Sequence, residues 1–189
     1  MSKLLRAIMV DLDGTLARTV DANSAAYQKA LAEVGVEISR QQFEWRAQGR
    51  NWRQFLPEFL AEAGVVANPE AIADRKLEIY RSELLHIQIN QALVQIIETG
   101  RSHDMRTALV TSASMSTVRT LLSVKQLSHL FDTIVTGDDV LHHKPHPEPY
   151  ALAAEHLMVE PQECIVYEDS DVGVASATAF GAHVVRVVF

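Results

Sequence analysis

Ala7-Ile8-Met9-Val10-Asp11-Leu12-Asp13-Gly14-Thr15-Leu16 is the stretch from which the rest of the chain can be read. Ala7 to Val10 form an unbroken apolar run, the pattern of a strand buried on both faces in a parallel sheet. The run ends in two carboxylates one residue apart, followed by a Gly-Thr turn. An unpaired buried charge is costly, so carboxylates at the end of a buried strand call for a counter-charge. A divalent cation supplies one, and open α/β sheets bind ligands beyond the carboxyl ends of their strands. The competing reading is a strand that simply stops at a solvated Asp-rich turn. What else the chain brings to the same place decides between them.

Downstream, residues 107–111, 133–136, 164–167 and 183–188 repeat the short apolar run. Between them, residues 92–99, 115–124, 147–157 and 172–180 have helical spacing, with Gly100 expected to end the first and Pro147 to start the third. Strands alternating with helices predict an α/β fold, a doubly wound parallel sheet with right-handed crossovers. Residues 18–86 differ: they read as helices only. Asp21 or Asn23 can cap the first, which Gly35 ends; Ser39 starts a second that runs to Gly49. Asn51 starts a third, ending at Gly64, in which Pro57 predicts a kink unless the helix begins there. Asn68-Pro69-Glu70 opens a fourth, with a capping residue, a first-turn proline and an acid on the positive end of the dipole. The expected organisation is therefore a core of residues 1–17 and 88–189 with an inserted all-helical cap of residues 18–87.

The chain has 189 residues and a net charge of −7. That balance argues against a general binder of nucleic acid or of anionic membrane, which would carry a basic face. Cys164 is the one cysteine, so an internal disulfide is excluded. With residues 1–10 too short and too soon interrupted by charge for a signal sequence, the expected location is a reducing, cytoplasmic compartment. No apolar run approaches the ~18 residues of a membrane span.

In a parallel sheet all strands point the same way, so their polar ends share one rim. Asp11, then Thr111-Ser112, then Glu168-Asp169-Ser170 end three of the strands, and the loop after the third leads to His142-His143-Lys144-Pro145-His146-Pro147. Carboxylates, a hydroxyl and a lysine suit phosphoryl transfer around a hard cation, and oxygen ligands select Mg²⁺. His142, His143 and His146 also admit a transition-metal site, but their spacing is that of a turn and no thiolate is near.

Asp11-Leu12-Asp13-Gly14-Thr15-Leu16, Thr111, Lys144-Pro145-His146-Pro147 and Glu168-Asp169-Ser170 with Gly173 resemble, in order, the four motifs of the haloacid dehalogenase-like phosphohydrolase superfamily. The inserted helices resemble the small cap of its phosphoglycolate phosphatase, sugar phosphatase and β-phosphoglucomutase subgroup. The resemblance implies a Rossmann-like core and a set of roles. Asp11 is the nucleophile that becomes an aspartyl phosphate. Asp13 protonates the leaving oxygen and later activates water. Thr111, with Ser112 as the alternative one residue on, binds the phosphoryl oxygens, and Lys144 holds the charge of Asp11 and the phosphate. Asp11, Asp13 through its carbonyl and Asp169 hold Mg²⁺, with Glu168 helping directly or through water. Arg50, Arg53 and Lys76 of the cap are candidates for the rest of a small phosphorylated substrate, set against the plainer reading of a solvated helix face.

The expected function is therefore a Mg²⁺-dependent phosphatase. A phosphosugar mutase, a phosphonatase using Lys76 as a Schiff base, and a non-catalytic binding module are the competitors. Mutases of this subgroup carry a histidine where this chain has Asn23, which favours hydrolysis. The apolar end Val187-Val188-Phe189 predicts a thinly covered sheet edge. Such an edge can pair with another chain, which motivates the hypothesis of a homo-oligomer formed there or through the cap; a monomeric mass by light scattering would exclude it.

Overall fold

The computed structural model describes residues 4–47 and 50–188. Five parallel strands form one sheet: β1 (Ala7–Val10), β2 (Arg106–Val110), β3 (Thr133–Val135), β4 (Cys164–Glu168) and β5 (His183–Arg186). Their order is β3-β2-β1-β4-β5. β1 is central, with Met9 in register beside Ala108 of β2 and Val166 of β4. All four of its residues are buried, because both faces of the sheet are covered. Ile8 and Val10 pack towards α5 (Gln91–Ser102) and α6 (Met115–Lys125), Ala7 and Met9 towards α7 (Glu148–Leu157) and α8 (Asp171–Phe180). The apolar runs are uninterrupted for that reason. The chain winds one way from β1 to β3 and the other way from β1 through β4 to β5, so strand order reverses at β1, where such sheets bind ligands.

Between β1 and α5 the described residues form four α-helices and no strand: α1 (Val20–Ala32), α2 (Arg40–Ala47), α3 (Trp52–Ala63) and α4 (Pro69–Glu83). They enclose a core of their own in which Tyr27, Phe43, Phe55 and Phe59 stack and edge against one another, with centroids 5.0–6.4 Å apart. Entry and exit of this insertion run side by side: the Arg18 N–H donates to the Gln88 carbonyl and that of Asn90 to Leu16, each at 2.9 Å.

Several boundaries differ from expectation for physical reasons. α1 starts at Val20, not beyond Asp21 or Asn23, and Thr19 at its cap position spends its hydroxyl on Asp13 rather than on the helix. α3 is a single helix through Pro57, opened by a reciprocal capping box between Asn51 and Gln54. α5 does not stop at Gly100. There the glycine serves contact: a Cβ would lie 2.4 Å from Ile8 Cδ1, so Gly100 lets the helix touch the central strand. The expected end of α2 at Gly49 and the terminal Phe189 lie outside the described residues. β5 is one edge of the sheet, and it stops at Arg186, with His183 and Arg186 exposed on it. No helix among the described residues is long and apolar enough to cross a membrane.

Candidate active site

The carboxyl ends of β1, β2 and β4 deliver the polar residues to one place. Asp11 follows β1 and is 7% exposed; Glu168 ends β4 and is fully buried; Lys144 comes from the loop after β3 and is 8% exposed. Lys144 Nζ donates to Asp11 Oδ1 at 2.8 Å, to Glu168 Oε1 at 2.5 Å and to the Val110 carbonyl at 3.0 Å. Glu168 has further protein donors: Tyr150 reaches Oε1 at 2.8 Å, and the Ser170 N–H and hydroxyl reach Oε2 at 3.3 and 3.2 Å. Gly173 stands close beneath it, where a Cβ would fall 1.9 Å from Oε1. Asp169 accepts from the Thr15 hydroxyl at 3.1 Å. Gly14, at φ +91°, passes so close to it that a Cβ would lie 2.2 Å from Oδ2.

The electrostatics define what this cluster lacks. Burial, then Glu168, pushes the Asp11 carboxyl well above its ordinary range in spite of the ammonium beside it. Burial works against the Lys144 ammonium, yet Asp11, Tyr150 and Glu168 hold its pKa well above 10.5. Asp169 is raised too, by burial and then by Glu168. Oxygens of Asp11, Glu168 and Asp169 lie within 4.8 Å of one another. Three carboxylates around one ammonium form an oxygen-only donor set with negative charge to spare, which fits a hard divalent cation. The Asp13 carboxylate stands outside that group, held by the Thr19 hydroxyl.

Above the cluster lies a cavity of about 240 Å³ between core and cap. Asp11, Asp13, Thr111, Ser112, Lys144 and Asp169 line its core side; Asn23, Tyr27, Glu44, Arg50 and Lys76 line its cap side. Both Thr111 and Ser112 reach it, so the choice between them stays open. Thr111 Oγ1 accepts from the Ala113 N–H at 3.1 Å. Lys76 is 3% exposed, with Nζ 4.8 Å from the Tyr27 ring centre and 4.3 Å from that of Tyr80. Burial lowers its pKa to about 8 against the pull of Asp13.

Two cap arginines are committed elsewhere. Arg50 grips Glu58 with both terminal nitrogens, at 2.5 and 3.0 Å, although it borders the cavity. Arg53 is not among the cavity's lining; it pairs with Asp138, which also accepts the Met115 N–H at the start of α6. Asn51, 1% exposed, makes a second tie from cap to core: its Nδ2 donates to the Ser112 carbonyl at 3.1 Å. In the histidine loop, Glu148 accepts the N–H groups of Leu141 and His142 and bonds the His142 ring, closing the turn ahead of α7.

Thr19 and Tyr150 escaped the sequence reading, as did the tie from Asn51, read there only as a helix start, to the core. Thr19 had one available signal: a hydroxyl six residues after Asp13 at a helix start. Lys76 also makes a prediction. Its pKa is lower folded than unfolded, so between about 8 and 10.5 the unfolded chain binds more protons and this group makes stability rise with pH. Lys76→Met should remove that rise and raise stability at pH 7 by about 2–4 kcal/mol. Chemical denaturation at pH 7 and 10 checks both effects.

The model of the family described as haloacid dehalogenase-like hydrolase matches residues 8–187. A fructose-1-phosphate phosphatase of Escherichia coli, YqaB, is 32% identical over 186 residues, which cover 95% of each chain. A phosphorylated carbohydrates phosphatase of Thermotoga maritima is 29% identical, over 94% of this chain and 82% of its own. Among solved structures, a mutant CbbY of Rhodobacter sphaeroides in complex with xylulose-(1,5)bisphosphate superposes with a TM-score of 0.87 at 26% identity, covering 98% of this chain and 87% of that one.

Proposed function

The chain belongs to the haloacid dehalogenase-like hydrolases, and from that premise we propose that it is a cytoplasmic, Mg²⁺-dependent phosphatase of a small sugar-phosphate-like ester, working through an aspartyl phosphate on Asp11. The observation that carries the reading is the division of labour between the two aspartates: Asp11 sits in the carboxylate–lysine cluster and Asp13 stands apart from it, facing the same cavity. On this reading Asp11 is the carboxylate that attacks phosphorus and Asp13 the one that moves a proton.

Asp11 uses its free oxygen to attack phosphorus, and the bond from phosphorus to the ester oxygen breaks. Asp13 gives that oxygen its proton. With the alcohol gone, Asp13 takes a proton from water, whose oxygen attacks the aspartyl phosphate and restores Asp11. Lys144 balances the charge on Asp11 and the phosphoryl group, held in position by Glu168 and Tyr150. Thr111 or Ser112 hydrogen-bonds the phosphoryl oxygens. Asp11 and Asp169 would hold Mg²⁺ directly, with the Asp13 carbonyl and with Glu168 behind them; the ion supplies neutralisation of phosphoryl charge. The cap covers the cavity and keeps bulk water from the reacting centre.

The test is phosphate release from a panel of phosphoglycolate, hexose and pentose phosphates, nucleoside monophosphates and p-nitrophenyl phosphate. We expect one sugar phosphate to be turned over far faster than the rest; silence on every ester would refute the reading. The metal is tested separately. Millimolar Mg²⁺ should raise the melting temperature of the wild type, since a ligand of the folded state stabilises it. Asp169→Asn should reduce that rise, and an equal rise in both would remove Asp169 as a ligand.

One observation favours a second reading. Lys76 is a desolvated amine with a lowered pKa inside the cavity, as a Schiff-base lysine requires. Borohydride trapping of a phosphonoaldehyde on Lys76 would favour a phosphonatase, and its failure favours the phosphatase.

A further inference from the structure

The loop that leads into α7 holds a group of metal-ligating side chains apart from the catalytic cluster. His142, His146 and Glu148 each bring one ligand atom, and these atoms lie within 4.8 Å of one another. The chain turns between the two histidines, where the His146 N–H donates to the His143 carbonyl at 2.9 Å. Their imidazole rings stand side by side, tilted by 33° with centres 4.7 Å apart. The spacing is that of a turn, and the turn is what pairs His142 with His146. His143 is not part of the group; its Nδ1 is buried.

Glu148 is held in place by the N–H groups of Leu141 and His142, at 2.8 and 3.0 Å. Its Oε2 lies 2.6 Å from His142 Nδ1 and 3.9 Å from His146 Nδ1. Ligands about 2.0–2.2 Å from a common ion lie about 3–4 Å from one another. Both histidine side chains are more than half exposed, so ring rotation closes the remaining difference.

The donor set chooses the ion. Imidazole nitrogen suits Zn²⁺, Ni²⁺ and Cu²⁺, whereas Mg²⁺ takes oxygen ligands. The catalytic cluster offers oxygens only, from Asp11, Glu168 and Asp169. Lys144 lies between the two histidines in sequence but turns inward to Asp11 and Glu168, which keeps the two groups apart.

We propose that His142, His146 and Glu148 form a second metal site, which takes a transition-metal ion such as Zn²⁺ and clasps the two ends of the loop that carries Lys144.

The experiment titrates the full chain with Zn²⁺ by calorimetry, as wild type, His142→Ala, His146→Ala and Asp169→Asn. Millimolar Mg²⁺ is present throughout to compete for the oxygen-only cluster. Zn²⁺ uptake should persist in Asp169→Asn. It should weaken at least about 10-fold in each histidine variant, since even residues that only support a metal ligand matter on that scale. Both variants keep the backbone N–H groups that hold Glu148, so the turn should survive, and a thermal melt without Zn²⁺ checks this. If one variant fails to fold, the other decides. No uptake at millimolar Zn²⁺, equal uptake in the wild type and the histidine variants, or loss in Asp169→Asn alone overturns the proposal. None of these outcomes involves turnover, so the phosphatase reading is tested separately.

Discussion

Asp11→Asn should lower phosphate release at least about 10⁴-fold while the protein stays folded. The amide matches the carboxylate in size, and its oxygen can still accept from Lys144 Nζ, which lies 2.8 Å from Asp11 Oδ1. What it loses is nucleophilicity and a charge. Burial and Glu168 already push the proton affinity of Asp11 up, so a neutral residue there removes a repulsion from the folded state. The variant should therefore melt no lower than the wild type. Turnover of p-nitrophenyl phosphate with a thermal melt on the same preparation checks both. Appreciable residual turnover would take the nucleophile role away from Asp11.

Lys144→Met should be the most damaging change to fold and activity together. The ammonium is almost wholly buried and touches Asp11, Glu168 and the Val110 carbonyl. Without it two buried carboxylates face each other with no cation, and breaking a buried pair in this way costs about 3–5 kcal/mol. For a chain of this length that is roughly 6–20 °C of melting temperature. Activity should fall by about 10²–10³-fold, the scale of a lost charge-stabilising group. Mg²⁺ should recover part of the stability but not of the rate, because the cation offsets the carboxylates from a different side. Full stability in Lys144→Met would contradict the account of a charge-deficient cluster.

The core could be read from the chain because β1 is covered on both faces, which leaves apolar runs that end where the chemistry begins. Asp11, Thr111, Lys144 and Glu168 reach the cavity or its floor because parallel strands share one rim. Local pattern fails where a residue's role depends on a distant partner. Arg53 looked like a substrate cation but pairs with Asp138, 85 residues on. Thr19 drew no notice in the sequence and holds Asp13. Gly100 looked like a helix stop and is a point of contact with Ile8. Lys76 sits in a weakly amphipathic helix, so its spacing gave no sign that Tyr27 and Tyr80 close over it. Glu168, grouped with the metal ligands from sequence, has both oxygens engaged by Lys144, Tyr150 and Ser170, contacts that no local pattern announces.

The central claim is that Asp11 carries the phosphoryl group and Asp13 moves the proton that releases it. It is tested most directly in Asp13→Asn. p-Nitrophenolate needs no proton to leave, so the first step should survive and the second, which needs a base, should stall. Rapid mixing with excess p-nitrophenyl phosphate and Mg²⁺ should give a burst of one nitrophenolate per enzyme. Mass spectrometry of the quenched protein should then find phosphate on the peptide bearing Asp11. Steady release with no burst, or phosphate on any other residue, would contradict the account.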